Sequence, residues 1–192
     1  MINKVLESIS FKNSFNGNVN ELIKCWTEPH RYFHTLTHLG RILKLIENDR
    51  DKLSDIEYDI LRVAAIYHDI IWLPREDKYN VAESIEKFKD DFYDLDFVYK
   101  DKISDIIDST NFHNFNHEDK LIRMFNSYDM NGVLNGDLQT LIEDGDNVAK
   151  EFNLDINIYK QKRIEFLKKY KKYNPNIQLC IDYLMKNSNI VI

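Results

Sequence analysis

Residues 54–72 read Ser-Asp-Ile-Glu-Tyr-Asp-Ile-Leu-Arg-Val-Ala-Ala-Ile-Tyr-His-Asp-Ile-Ile-Trp. Ser54, with Glu57 three residues later, has the form of a capping box and predicts a helix start at this point. Ile56, Ile60, Val63, Ala64 and Tyr67 then recur at three- and four-residue steps, the period of one buried helix face, and the helix is predicted to run to about Ile70. The four-residue steps Ile60, Ala64 continue onto His68, so an imidazole falls on the core face with Asp69 beside it inside an apolar run. A buried ionisable aspartate is costly unless it is paired or bound to a metal. Two readings stay open at this point. His68 and Asp69 satisfy each other and the backbone, or both face a cation.

The same period governs the rest of the chain. Helices are predicted over 19–25, 37–48, 80–92, 98–111, 118–125, 137–152, 157–172 and from Pro175 to about Lys186, with 127–136 as a loop. Only the stretch 92–99 competes as a strand. With 192 residues, 43% hydrophobic and 30% charged, but 5 glycines and 3 prolines, long helices joined by short polar connections are expected. The fold class is all-α: one helical domain over 1–192, with a motif-bearing core at about 26–163 and C-terminal helices at 157–187 packing on it.

Charge and cysteine content narrow the function. A net charge of −6 and a pI near 5.5 exclude a broad basic footprint for duplex nucleic acid. The run Lys168, Lys169, Lys171 and Lys172 reads as a solvated helix face. Cys25 and Cys180 lie far apart in apolar surroundings without metal-type spacing, as reduced core residues would. No apolar run approaches the roughly 20 residues that span a bilayer, and 1–15 has no signal-like apolar stretch. A cytoplasmic protein without membrane association is expected.

The six histidines fall into three groups: His30, His34 and His38; His68; and His113 with His117. His34 and His38 are four apart at a helix start and can share one face. If their helix packs antiparallel to that of His68, the groups meet. Mixed imidazole and carboxylate donors suit Fe, Mn, Co or Zn, with Mg also possible. His30 and His117 read as surface residues.

Arg31-Tyr32-Phe33-His34-Thr35-Leu36-Thr37-His38, Tyr67-His68-Asp69, Asn80-Val81-Ala82-Glu83-Ser84, Thr110-Asn111-Phe112-His113, Asp129 and Glu151-Phe152 follow one another along the chain. This ordered series resembles the HD superfamily of metal-dependent phosphohydrolases, in particular its short, predicted metal-dependent members. The resemblance covers about Trp26 to Arg163. It implies an HD-domain helical bundle with a metal site between central helices, and His38, His68, Asp69 and Asp129 as ligands, with Asp137 the alternative to Asp129. It implies catalytic roles for Asp69, His34 and His113, and substrate contacts for Arg31, Asn80, Ser84 and Arg163. Arg75 and Lys78 are further candidates to reach a phosphate, and Trp72 and Phe112 to wall the pocket. The implied activity is hydrolysis of a phosphate ester or anhydride, with a small phosphorylated molecule, a nucleotide, as substrate. Three departures stand out. Phe33 replaces a Tyr and Val81 a Glu, with Glu83 a substitute only if its helix is rotated, and the last Asp lacks its usual Asp-x-Asp-Leu setting. A catalytically weak metal- or nucleotide-binding module is therefore the alternative, and a di-iron oxygenase a third reading.

Overall fold

The computed structural model describes residues 1–187, and among them it holds eleven α-helices, two short 3-10 turns and no strand. The fold is an all-α helical bundle. By its internal contacts the chain forms two compact units, the first Met1–Asp129 and the second beginning at Met130.

The first unit comprises α1 (Ile2–Ser8), α2 (Val19–Trp26), α3 (Leu36–Asn48), α4 (Asp55–Tyr67), α5 (Asp77–Asp91), α6 (Phe97–Ser109) and α7 (Lys120–Asp129). Helix α4 is its hub, packed against α1, α3, α5, α6 and α7. Its second half, Asp59 to Tyr67 except Arg62, is buried on every side, the pattern of a helix inside a core and not on a surface. Ser54 caps it as predicted, with the reciprocal Glu57 bond also made. Ile42 and Ile46 of α3 and Ile60 and Ala64 of α4 are all buried, as the pairing of these helices predicts.

Helix α4 stops at Tyr67, earlier than predicted, because the bonds that would continue it are taken elsewhere. Ile66 O accepts from Trp26 Nε1 at 2.9 Å, Ile70 N reaches only Tyr67 O at 3.2 Å, and Ile71 N donates to Ser84 Oγ at 3.1 Å. The chain leaves the helical path at the His68-Asp69 pair. The stretch 92–99 is not a strand. Phe92 caps α5, and Asp96 caps α6 by accepting from Val98 N at 2.8 Å.

The second unit comprises α8 (Asn131–Asn135), α9 (Leu138–Phe152), α10 (Ile156–Tyr170) and α11 (Asn176–Lys186) around Leu141, Ile164, Leu167, Ile177, Cys180, Ile181 and Leu184. The predicted loop over 127–136 is mostly helical. Its two glycines serve close packing and not a left-handed turn. A Cβ on Gly132 would lie 2.6 Å from the Asp144 carboxylate, and one on Gly136 would lie 2.1 Å from Gly132 O. Among the described residues no helix is long and apolar enough to cross a membrane, and both cysteines are free.

Candidate metal centre

Four donors converge from three helices of the first unit. His38 lies in the first turn of α3, His68 and Asp69 follow directly on α4, and Asp129 is the last residue of α7. One ligand atom from each lies within 4.8 Å of all the others. His68 Nε2 is 2.9 Å from Asp69 Oδ2, 3.3 Å from His38 Nε2 and 3.6 Å from Asp129 Oδ1. His38 Nε2 is 3.1 Å from Asp129 Oδ1 and 3.7 Å from Asp69 Oδ2. Donors bound at about 2.0–2.2 Å from one transition metal stand about 3.0–3.6 Å apart at tetrahedral or octahedral angles. The cluster thus has the size and the mixed N/O chemistry of a metal centre.

Much of the backbone around the pair is engaged. His68 N bonds Ala64 O at 2.9 Å, and His68 Nδ1 donates to Ala65 O at 2.9 Å, which leaves Nε2 aimed at the cluster. Beyond the helix, the Arg31 guanidinium donates to Asp69 O at 2.7 Å and Ile70 O at 3.0 Å. His30 Nε2 donates to Trp72 O at 2.8 Å. Asn80 accepts from Leu73 N and donates to Leu73 O, while Ser84 bonds both polar groups of Ile71.

The electrostatics depart from a neutral core. Burial alone would lower the His68 pKa, but the charges of Asp69 and Asp129 raise it to about 10. Burial would raise both carboxyls, yet His68 and His34 hold Asp69 well below the carboxylate range. Hydrogen bonds from His113, His38 and His68 do the same for Asp129. Both aspartates also sit at helix C-termini, where the macrodipole is negative and an anion is disfavoured. The placement becomes favourable when positive charge fills the space between them.

The cluster opens on one side. His68 is 1% exposed, whereas the side chains of His34 and Asp69 are each 18% and that of His113 is 22%. His34 Nε2 is 4.0 Å from Asp69 Oδ2, and its ring packs on buried Trp72 at 4.2 Å. His113 Nε2 lies 2.9 Å from Asp129 Oδ2, the carboxylate oxygen that faces away from the two buried imidazoles. Its backbone is left-handed at φ 45°. Asp77, which the sequence reading passed over, belongs to this electrostatic neighbourhood. Desolvation raises its pKa, Asp69 adds to the shift, and His34 and His113 oppose it. An acid in the first turn of a helix ordinarily reads as a dipole complement, so nothing in the pattern marked it.

The other candidates sit differently. Arg31 is buried, with its donors on Glu28 and on three carbonyls. Arg75 bonds Asn80 and Glu83, and Lys78 bonds Glu76. Val81 is buried in the core, and Glu83 faces Arg75. The ring of Phe112 is 80% exposed and walls nothing, in contrast to the expectation. Asp137 and Arg163 belong to the second unit. Asp137 caps α9 by accepting from Thr140 N at 2.8 Å, and Arg163 donates to Leu141 O and stacks on Phe166. His117 accepts from Asp119 N. Comparisons with protein-family models, curated proteins and solved structures gave no match for this chain.

Proposed function

We propose that this chain is a metal-dependent phosphohydrolase of the HD type, acting in the cytoplasm on a phosphate ester or anhydride, with a nucleotide as substrate. One observation carries the reading. His38, His68, Asp69 and Asp129, separated by up to 91 residues in sequence, offer four ligand atoms within 4.8 Å of one another, with one side of the cluster open. The ordered motif series supplies the family and the reaction class. The donor set fits Fe, Mn, Co or Zn, and Mg less closely. When bound, such an ion polarises a phosphoryl oxygen and lowers the pKa of its water toward about 7.

The remaining roles fall to the chain itself. Asp69 and Asp129 hold the negative charge that retains the cation, and His68 keeps Nε2 presented by donating Nδ1–H to Ala65. His34 and His113 lie on the open side of the cluster, where an imidazole could protonate a leaving oxygen. His113 also fixes the second oxygen of Asp129.

A second reading, a catalytically weak metal- or nucleotide-binding module, is favoured by the cations near the site. Arg31, Arg75 and Lys78 are each already bonded within the chain, and Val81 is buried where the family has an acid. Elemental analysis of the purified protein, with a panel of phosphorylated substrates, separates the readings. Stoichiometric transition metal with phosphate release supports hydrolysis. Metal without turnover supports the binding module, two irons with oxygen uptake support an oxygenase, and absence of metal refutes the centre.

A further inference from the structure

Arg31 is a heavily engaged polar side chain near the cluster. Nη1 donates to His34 O at 3.2 Å and to Asp69 O at 2.7 Å, Nη2 to Ile70 O at 3.0 Å, and Nε to Glu28 Oε2 at 3.0 Å. Its guanidinium also lies over the Trp26 ring, 5.5 Å from the centroid, and Trp26 in turn holds Ile66 O and packs against the His68 ring. This planar group and the Trp26 ring beside it therefore join two stretches of chain, 28–34 and 66–70, that are far apart in sequence. The first leads into the helix bearing His38 and contains His34, and the second contains His68 and Asp69.

We infer that Arg31 is the positioning residue of the metal centre, setting the separation of the His34 and Asp69 segments through their carbonyls, and is not a phosphate ligand. The inference rests on the metal-centre reading above. Three features of the group suit this task. The carbonyls after α4 have no helical donor, and a buried acceptor without one is costly. The guanidinium is a rigid fork whose donors can meet several acceptors in one plane, which a lysine ammonium cannot do. Its charge also lies behind the aspartate, where it offsets the negative end of α4 without entering the coordination sphere. With its donors committed to the backbone and to Glu28, and with 6% of its surface exposed, Arg31 has little left to offer a substrate.

The test uses the full chain stripped of metal and titrated with Co(II), whose visible absorption reports coordination geometry. Wild type, Arg31→Ala, Arg31→Lys and Glu28→Gln are compared for Co(II) affinity, spectrum and melting. Removing groups that orient a ligand ordinarily weakens metal binding about 10–100-fold. Arg31→Ala is expected to lose affinity in that range and to change the Co(II) spectrum, with recovery in millimolar guanidinium. Arg31→Lys is expected to recover little, and Glu28→Gln, which leaves the carbonyl bonds intact, to bind within about threefold of wild type. If Arg31→Ala fails to fold, Arg31→Lys with a wild-type spectrum and affinity overturns the inference. So does a folded Arg31→Ala that binds Co(II) as wild type does, or one whose sole defect is a raised KM for a phosphorylated substrate. Wild type that takes up no Co(II) refutes the metal centre itself, a result distinct from any difference among variants.

Discussion

The left-handed backbone at His113 costs an ordinary L-residue about 1–2 kcal/mol, and glycine escapes most of that. The strain coincides with a contact at the candidate metal centre, since this conformation brings Nε2 to 2.9 Å from Asp129. Two substitutions separate the two effects. His113→Gly and His113→Ala both lose the hydrogen bond to the carboxylate, and both are expected to bind metal about 10–100-fold more weakly. The glycine variant is expected to be more stable than the alanine variant by about 1 kcal/mol, a difference of roughly 2–4 °C in Tm at this chain length. Equal melting of the two would show that the backbone there is unstrained. Legibility at this scale was uneven, for a physical reason. Donors such as His68 and Asp69 stood out because charged residues on a core stripe contradict their surroundings. The role of Arg31 was hidden because its partners are mostly carbonyls, which every residue carries and no pattern marks.

At the scale of the element, α4 links the readable and the functional. Its start is written in Ser54 and Glu57, and its body in the apolar steps from Ile56 to Tyr67. Its end was not readable, because Trp26, Ser84 and Arg31 withdraw the bonds that would extend it, and these lie 13 to 40 residues away from the groups they hold. The loop predicted over 127–136 failed for a related reason. Gly132 reads as a turn signal, but it stands inside a short helix where an added Cβ would fall 2.6 Å from the Asp144 carboxylate. Ser54→Ala tests whether the two ends of α4 act independently. Loss of an N-cap costs about 0.5–2 kcal/mol, or roughly 1–8 °C in Tm at this length. Metal affinity is expected to stay at the wild-type value, since the cap and His68 are separated by about 20 Å of helix. Calorimetry with and without Co(II) reads both quantities. A change in affinity would mean that fraying at the start of α4 reaches its end.

At the scale of the molecule, the two units divide the labour unequally. The four donors belong to Met1–Asp129, as do His34, Asp77 and His113. The all-α class follows from a chain poor in glycine and proline with one dominant period, whereas the division after Asp129 leaves no trace in composition. Because the proposed cation would bridge α3, α7 and the segment after α4, it would bind the folded chain far better than the unfolded one. Above its dissociation constant, each tenfold rise in free metal should then add about 1.4 kcal/mol of stability, which moves Tm by about 3–6 °C. Asp69→Ala is expected to flatten that slope and to abolish the proposed hydrolysis. Its metal-free form should nevertheless melt close to metal-free wild type. The His68 ring keeps Asp129 Oδ1 at 3.6 Å and Ala65 O at 2.9 Å, so no buried charge is stranded when the carboxylate goes. If Asp69 served only as the structural partner of His68, breaking the pair would instead cost about 3–5 kcal/mol in the metal-free protein. Melting curves of both proteins over a range of Co(II) concentrations discriminate the cases. A steep wild-type slope, a flat mutant slope and coincident metal-free midpoints identify Asp69 as a ligand, and a mutant that melts far below wild type without metal rejects that role.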